Sequence, residues 1–142
     1  MKVELRRVNE AFHFEAVGTA GVPVHIDGSP DIGGENAGAR PMEMILMGLG
    51  GCSAIDIVLI LQKQRQVIQD MSITIEGERI PNETPSVFKN IHVHYNFKGD
   101  LNEEKVKRAI ELSMEKYCSV TAILNKTAVI THSFSVEPVS VL

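Results

Sequence analysis

An unusually apolar stretch in the first half of the chain limits the folds open to this sequence. Residues 44–61 form a run of 18 residues in which only Ser53 and Asp56 are strongly polar. The run is of marginal length for crossing a bilayer, and an aspartate in the middle of a membrane span would cost several kcal/mol. We therefore expect a helix buried on all sides inside a soluble protein, and no association with a membrane.

Strand-like and helix-like patterns on both sides of this run predict an α+β fold. Apolar and polar residues alternate over residues 2–27, which predicts two or three antiparallel strands, and residues 28–40 have the composition of a loop. Pro41 suits the first turn of a helix that continues to about Arg65. The remaining pattern predicts strands over 71–99, a helix up to Cys118, a short helix over 120–126 and a strand over 129–136. The whole chain, residues 1–142, is predicted to be a single domain with two sheet regions packed on the apolar helix.

The apolar helix also bears on the oligomeric state. A helix that is apolar on all sides needs more cover than a chain of 15.6 kDa readily supplies. The simplest cover is a second copy of the same helix, which predicts a two-fold homodimer. The alternative is a sheet that wraps around the helix within one chain.

Charge and cysteine content exclude several classes of protein. The net charge is −4 and no basic block is present, which argues against a dedicated nucleic-acid binder. Two cysteines are too few for a disulfide-rich secreted scaffold. Residues 1–7 are charged where a signal peptide has an apolar core. We therefore expect a cytoplasmic protein, in which Cys52 and Cys118 are either inert core residues or a redox pair.

The surroundings of each cysteine give only weak evidence when they are taken singly. Cys52 follows Gly48, Gly50 and Gly51, and these glycines would let another backbone or a small substrate approach the sulfur. The alternative is a small buried hydrophobic residue beside glycines that serve helix packing. Cys118 ends one predicted helix and precedes another.

Taken together, the segments around the two cysteines resemble a known family. Residues 41–58, PMEMILMGLGGCSAIDIV, resemble the central-helix motif of the OsmC/Ohr family of osmotically inducible and organic hydroperoxide resistance proteins. Residues 115–120, EKYCSV, resemble the segment that carries the second cysteine of the family. Residues 130–134 are similar to the closing strand of the family. The sequences of both cysteine motifs most resemble those of the YhfA-like branch.

The resemblance implies a fold, an activity and roles for both cysteines. The fold would be OsmC-like, with antiparallel sheets wrapped around a buried central helix that carries Cys52, in an intertwined two-fold dimer. The activity would be thiol-dependent reduction of organic hydroperoxides in defence against oxidative stress. Cys52 would be the peroxidatic thiolate and Cys118 the resolving thiol. An external dithiol or a thioredoxin-like reductant would restore the thiols, and no metal, flavin or haem would be needed.

The residues that activate the thiolate in the characterised peroxidases do not match. Those enzymes use an arginine from an N-terminal loop and a glutamate ten residues before the first cysteine. Here that position is Met42, and Glu43 lies half a turn out of phase with Cys52, because nine residues of helix turn by roughly 900°. Residues 18–39 contain no arginine or lysine, and Arg40 does not occupy the position of the family's arginine. A thiol without a neighbouring cation reacts slowly, which favours the alternative of a non-catalytic dimer that binds a small ligand or senses redox state.

The histidines provide weaker candidates. His92 and His94 lie two residues apart on a predicted strand and share a face, but no third metal ligand is apparent, so we interpret them as surface residues. His25 and His132 are candidates to lie near the cysteines, although the sequence alone does not place them.

Overall fold

The protein has an α+β fold in a computed structural model that describes residues 1–139. The α+β class and the order of the elements are as the sequence predicts. The elements are β1 (Glu4–Arg7), β2 (Phe14–Val17), β3 (Val24–Ile26), α1 (Pro41–Lys63), β4 (Asp70–Arg79), β5 (Phe88–Lys98), α2 (Glu103–Leu112), α3 (Ser119–Leu124) and β6 (Val129–Glu137). A turn of 3₁₀-helix spans Pro30–Ile32, and a turn of π-helix, Ser113–Tyr117, follows α2.

The chain divides into two compact units, Met1–Met47 and Gly48–Leu142, and the single-domain assignment stays a prediction. The first unit contains a three-stranded antiparallel sheet in the order β1-β2-β3, as the alternating pattern predicts. Asp27, at the end of β3, holds the following loop: its carboxylate accepts backbone N–H groups from Gly28, Glu35 and Ala37 at 2.8, 2.9 and 3.1 Å. The bonds from Ala37 and Glu35 lower the pKa of Asp27 below its ordinary value.

The second unit contains a mixed sheet in the order β4-β5-β6. Strands β4 and β5 are antiparallel, but β5 and β6 are parallel, which corrects the antiparallel arrangement predicted for this sheet. The connections explain the difference. Residues 80–87 make a short return between β4 and β5, whereas residues 99–128 contain α2 and α3 and bring the chain back to the same end of the sheet.

One face of this sheet forms the core of the second unit. Alternate residues of β5 are almost completely buried, whereas His92, His94 and Asn96 of the same strand lie on the opposite, polar face. Helices α1 and α2 supply the other side of the core. The buried apolar residues are Phe88, Ile91, Val93, Tyr95 and Phe97 of β5, Leu49, Ile57 and Leu61 of α1, and Val106, Ala109 and Ile110 of α2.

Helix α1 has one buried side and one exposed apolar side in the single chain. Leu49, Ser53 and Ile57 lie on the buried side. Ile55 and Leu59 on the other side are 64% and 50% exposed, so the single chain does not bury this helix on all sides as predicted. Only 28% of its most apolar 18-residue window is buried. Among the described residues, α1 is the one helix long and apolar enough to span a membrane, a test that core helices of soluble proteins also pass.

Candidate functional site

Two cysteines and an aspartate meet at one point of the second unit. The sulfur atoms of Cys52 and Cys118 and a carboxylate oxygen of Asp56 all lie within 4.8 Å of one another. Cys52 and Asp56 are neighbours because residues four apart share a face of a helix. Cys118 comes from the junction between the π-helical turn and α3. The structure thus brings together the two sulfurs that the sequence suggests as a pair, and both are free thiols.

The two thiols have different surroundings. Cys118 is 4% exposed, and its sulfur accepts the backbone N–H of Thr121 at 3.4 Å. Burial raises the pKa of the Cys118 thiol above its ordinary value, and the neighbouring Cys52 adds to the rise against the opposing effect of Thr121. Cys52 is only partly buried. Cys52 is therefore the more accessible sulfur, and Cys118 is held as a neutral thiol beside it.

Asp56 is positioned by a buried serine. Its carboxylate oxygen Oδ2 accepts a hydrogen bond of 2.9 Å from Ser113 Oγ, which lies in the π-helical turn just before Cys118. Ser113 has no exposed surface, so this contact has little freedom to rearrange. Within residues 1–139, no lysine or arginine lies within ion-pairing distance of the Asp56 carboxylate. The carboxylate thus faces the two thiols without a cationic partner.

A buried pair of hydroxyl groups ties α1 to β5 next to Cys52. The Tyr95 hydroxyl donates to Ser53 Oγ at 2.7 Å, and Ser53 Oγ donates to the carbonyl of Gly50 at 3.2 Å. Burial raises the pKa of Tyr95 to about 12, so the phenol remains a donor at neutral pH. At Gly50, an added Cβ would lie 2.8 Å from Ile75 Cδ1. This glycine therefore serves close packing of the helix against β4.

A cleft of about 340 Å³ reaches the cluster through Asp56. Most of its wall is made by aliphatic and aromatic carbon, with Lys63 and Gln64 as the other polar members. The lining residues are Asp56, Leu59, Ile60, Lys63, Gln64, Leu112 and Tyr117. The cleft suits a molecule with a hydrocarbon part and a polar end.

Glu43 and Arg40 have local structural roles in the first unit. Glu43 Oε1 accepts the backbone N–H of Arg40 at 2.9 Å, which satisfies a free donor at the start of α1. The Arg40 guanidinium donates to Asn36 Oδ1 at 2.8 Å. These contacts explain both residues without reference to a thiolate.

The histidines do not belong to the cysteine cluster. His92 and His94 both contact the Ser133 hydroxyl, at 2.8 and 2.7 Å, on the polar face of the second sheet. His25 is hydrogen-bonded to a neighbouring histidine ring at 2.9 Å in the first unit. His132 is exposed on β6. His92 is exposed, whereas His94 is partly buried and also hydrogen-bonded to Asn96 Oδ1 at 3.1 Å, so the interpretation as a surface residue fits His92 better than His94.

Asp56 of the cluster and its hydrogen-bond partner Ser113 are absent from the sequence prediction. Asp56 could have been found, because its spacing of four residues from Cys52 in a predicted helix places both side chains on one face. Ser113 could not, since its contact with Asp56 spans 57 residues and depends on the turn of π-helix after α2.

Comparison with known proteins identifies the family. Residues 33–133 match the family model described as OsmC-like protein, and this span includes both cysteines. The chain belongs to the OsmC family. Protein YhfA of Escherichia coli K12, whose name states no activity, is 44% identical over 128 residues, which cover 89% of this chain and 92% of YhfA.

Solved structures agree with this OsmC membership. A hypothetical protein from Aquifex aeolicus VF5 is similar with a TM-score of 0.84 and 32% identity, over 98% of this chain and 97% of that one. An organic hydroperoxide resistance protein from Legionella pneumophila is similar with a TM-score of 0.68 and 19% identity, over 94% and 95% of the two chains. The second likeness shows the fold alone. Helix α1 is accordingly the core helix of a soluble OsmC-like fold.

Proposed function

We propose that the protein is a cysteine-based peroxidase that reduces organic hydroperoxides in defence against oxidative stress. The observation that carries the proposal is the pair of free sulfurs within 4.8 Å of each other, one partly exposed and one buried. An accessible thiol can react with a peroxide, and a buried thiol next to it can then form a disulfide with the oxidised sulfur. Membership of the OsmC family and structural likeness to a hydroperoxide resistance protein support the same chemistry.

In the first step, Cys52 acts as the nucleophile. The Asp56 carboxylate lies within 4.8 Å of the Cys52 sulfur, and in this proposal it takes the thiol proton either through a bridging water or after a small side-chain movement. The thiolate attacks the terminal peroxide oxygen, the O–O bond breaks, and Cys52 becomes a sulfenic acid. The departing alkoxide takes up a proton and leaves as an alcohol. One thiol and one hydroperoxide therefore give one sulfenic acid and one alcohol.

In the second step, Cys118 resolves the sulfenic acid. Its thiol attacks the Cys52 sulfur, a disulfide forms, and the sulfenic oxygen leaves as water. The sulfurs must approach from a spacing within 4.8 Å to about 2.05 Å, a movement within reach of side-chain rotation and a small backbone shift. An external dithiol or a thioredoxin-like reductant then restores both thiols, and the cycle needs no metal, flavin or haem.

The cleft beside Asp56 supports an organic substrate. Leu59, Ile60 and Leu112 line it, and a hydrocarbon chain placed there would be removed from water. Hydrogen peroxide has no hydrocarbon part, so contact with these apolar side chains would not favour its binding. We therefore propose that hydroperoxides with a hydrocarbon part react faster than hydrogen peroxide.

A second candidate is a non-catalytic dimer that binds a small ligand or senses redox state. The observation that favours it is the electrostatic environment of the thiols. Within the described part of the chain, the Asp56 carboxylate has no ion-pair partner, and the groups that act on Cys118 include no lysine or arginine. A thiolate at this site thus lacks the cation that usually activates a reactive cysteine.

One assay separates the two candidates. Consumption of an organic hydroperoxide is measured with dithiothreitol as reductant and a metal chelator present, for the wild type, Cys52→Ser and Cys118→Ser. The peroxidase predicts turnover in the wild type and none in Cys52→Ser. In a second arm the three proteins are treated with millimolar peroxide after the dithiothreitol has been removed, and Cys118→Ser should then accumulate sulfenic or sulfinic acid at Cys52, seen as added oxygen in the intact mass. Fully reduced thiols in all three proteins in this arm would contradict the peroxidase and favour the second candidate.

We also propose a cytoplasmic location and a homodimer. A reducing cytoplasm would keep Cys52 and Cys118 available as thiols between turnovers. A second copy would cover the exposed apolar side of α1, where Ile55 and Leu59 lie.

A further inference from the structure

The cysteine cluster also has the composition of a metal site. Two thiols and a carboxylate, each with one ligand atom, converge within 4.8 Å. Zinc is bound in proteins by cysteine, histidine and carboxylate ligands in tetrahedral geometry. With Zn–S bonds of about 2.3 Å, a tetrahedral ion holds two sulfurs roughly 3.8 Å apart, a separation that small side-chain movements give at this cluster.

The charges of the three groups favour a divalent cation. All three side chains are anionic when deprotonated, and no lysine or arginine of the described residues lies within ion-pair distance of the Asp56 carboxylate, although Lys63 lines the same cleft. Cys52 and Cys118 can become thiolates together only if a positive charge compensates them. A dication at the centre of the cluster would supply that charge.

The contacts around the ligands resemble those that orient ligands in metal sites. Ser113 Oγ donates to one oxygen of Asp56 at 2.9 Å, and the backbone N–H of Thr121 points at the sulfur of Cys118 at 3.4 Å. Both donors stabilise the anionic form of their partner and fix its direction. Ser113 has no exposed surface and Thr121 is 4% exposed, so both donors are held in place by packing.

We propose that Cys52, Asp56 and Cys118 of the reduced protein bind a Zn²⁺ ion. Three protein ligands leave the fourth tetrahedral position for water or a small anion, and the cleft that Asp56 lines gives access to it. Both thiols lose their protons when the ion binds, so binding releases protons and weakens as the pH falls. The inference goes beyond the peroxidase proposal and does not depend on it, because it requires only the reduced ligands.

Zinc binding would have a direct effect on thiol chemistry. An ion bonded to both sulfurs keeps them from forming a disulfide, and a disulfide removes two of the three ligands. Zn²⁺ and oxidation of the Cys52–Cys118 pair therefore exclude each other. The cluster would hold zinc while it is reduced and release it when it is oxidised.

The test is a zinc titration of the reduced, metal-free protein in competition with a chromophoric chelator. We expect the wild type to take up a single equivalent of Zn²⁺ per chain, and the protein with an oxidised cysteine pair to take up none. Cys52→Ser and Cys118→Ser should lose the site, Asp56→Asn should weaken binding at least tenfold, and Ser113→Ala should weaken it about tenfold. Cobalt in place of zinc should give thiolate charge-transfer absorption and the intense visible bands of a four-coordinate ion.

Matched variants exclude other zinc sites. Asp100→Asn makes the same change as Asp56→Asn at an exposed position outside the cluster and should bind like the wild type. His92→Ala tests the histidine face of the second sheet and should also leave binding unchanged. Absence of binding in the wild type, wild-type affinity in either cysteine variant or in Asp56→Asn, or loss of binding in His92→Ala would each overturn the inference. None of these outcomes depends on whether the metal-free protein reduces peroxides.

Discussion

At the scale of single residues, the unequal burial of the two cysteines supports the proposed order of their reactions. Cys118 is 4% exposed and burial raises the pKa of its thiol, so at neutral pH it is both shielded and protonated. Cys52 is partly exposed at the same cluster. The assignment of Cys52 as nucleophile and Cys118 as resolving thiol follows this difference in access.

This difference predicts an order of alkylation. With the native, reduced, metal-free protein at pH 7, iodoacetamide should modify Cys52 at least about tenfold faster than Cys118, because the thiolate is the reacting form and Cys118 is held as a thiol. Peptide mass spectrometry at a series of times gives both rates. Unfolding in urea provides the control and should bring the two rates close together. Faster modification of Cys118 in the native protein would contradict the assignment.

Asp27 is a second residue whose effect should be visible, through the pH dependence of stability. Three backbone N–H groups from the loop lower its pKa in the folded state below the ordinary value of 3.8. The charged form is therefore favoured by folding. Its contribution to stability is complete above the unfolded pKa and is lost as the pH falls through the lower folded value.

We therefore expect Asp27→Asn to lower the urea midpoint at pH 7, because an amide cannot accept from all three N–H groups. The difference from the wild type should shrink as the pH falls below about 4, because Asp27 is protonated there first in the unfolded state and only at lower pH in the folded state. Asp100→Asn, at an exposed aspartate, is the control and should follow the wild type at every pH. A difference that stays constant down to about pH 3 would show that the charge of Asp27 contributes nothing.

The sequence could predict the cysteines of the site but not all of its chemistry. Cys52 and Cys118 stand out because few other residue types act as redox nucleophiles, and the motifs around them are specific. Asp56 could also be predicted, because it lies one helical turn after Cys52 and residues four apart share a face of a helix. Ser113 was not, because its role arises only when a turn of π-helix brings its hydroxyl to Asp56.

At the scale of secondary-structure elements, a buried polar contact joins α1 to β5 within their shared apolar core. The Tyr95 hydroxyl donates to Ser53 Oγ at 2.7 Å between side chains that have no exposed surface. Ser53 immediately follows Cys52, so this contact also fixes the turn of helix that presents the thiol. Removing the hydroxyl of Ser53 and removing the hydroxyl of Tyr95 should therefore lower the stability by different amounts.

Ser53→Ala should lower the free energy of unfolding by about 1–3 kcal/mol, because it leaves the Tyr95 hydroxyl buried without a partner. Tyr95→Phe should lower it by about 1 kcal/mol, because Ser53 keeps its bond to the Gly50 carbonyl. The double variant should be less destabilised than the sum of the two. Urea denaturation of all four proteins completes the cycle, and strict additivity would show that the pair contributes no coupling.

Local patterns predicted most of the elements but not the pairing of the last strand. Alternation fixes the faces of β4 and β5 because one side of the sheet is buried and the other is not. The direction of β6 depends on how α2 and α3 cross the sheet, which no pattern within residues 129–136 encodes. Long-range pairing was therefore the part of the fold that the sequence left open.

At the scale of the whole molecule, the exposed side of α1 is the feature that the single chain leaves unexplained. Gly48, Gly51, Ile55 and Leu59 recur at intervals of three and four residues, and all four are exposed. Ile55 and Leu59 are 64% and 50% exposed, so at least half of the surface of each residue stays in water in the single chain. Association of two copies through this stripe would bury it, and the glycines would let the helices approach closely.

The glycines provide a test in which the isolated chain and the dimer predict opposite results. In the single chain, a Cβ added at Gly48 or Gly51 meets nothing within 4 Å. If this surface is free, Gly48→Ala and Gly51→Ala should each stabilise the helix by about 1 kcal/mol, through higher helix propensity. If a second copy packs against the stripe, the added methyl groups should separate the helices and weaken association.

We expect the second result. The wild type should sediment as a dimer at low micromolar concentration, and Gly48→Ala with Gly51→Ala should shift it towards monomer and lower its thermal midpoint. Gly18→Ala is the matched control, because a Cβ there also meets nothing within 4 Å but lies outside α1, and it should leave the dimer unchanged. A well-folded wild-type monomer, together with stabilisation by both helix substitutions, would show that one chain is complete without a partner.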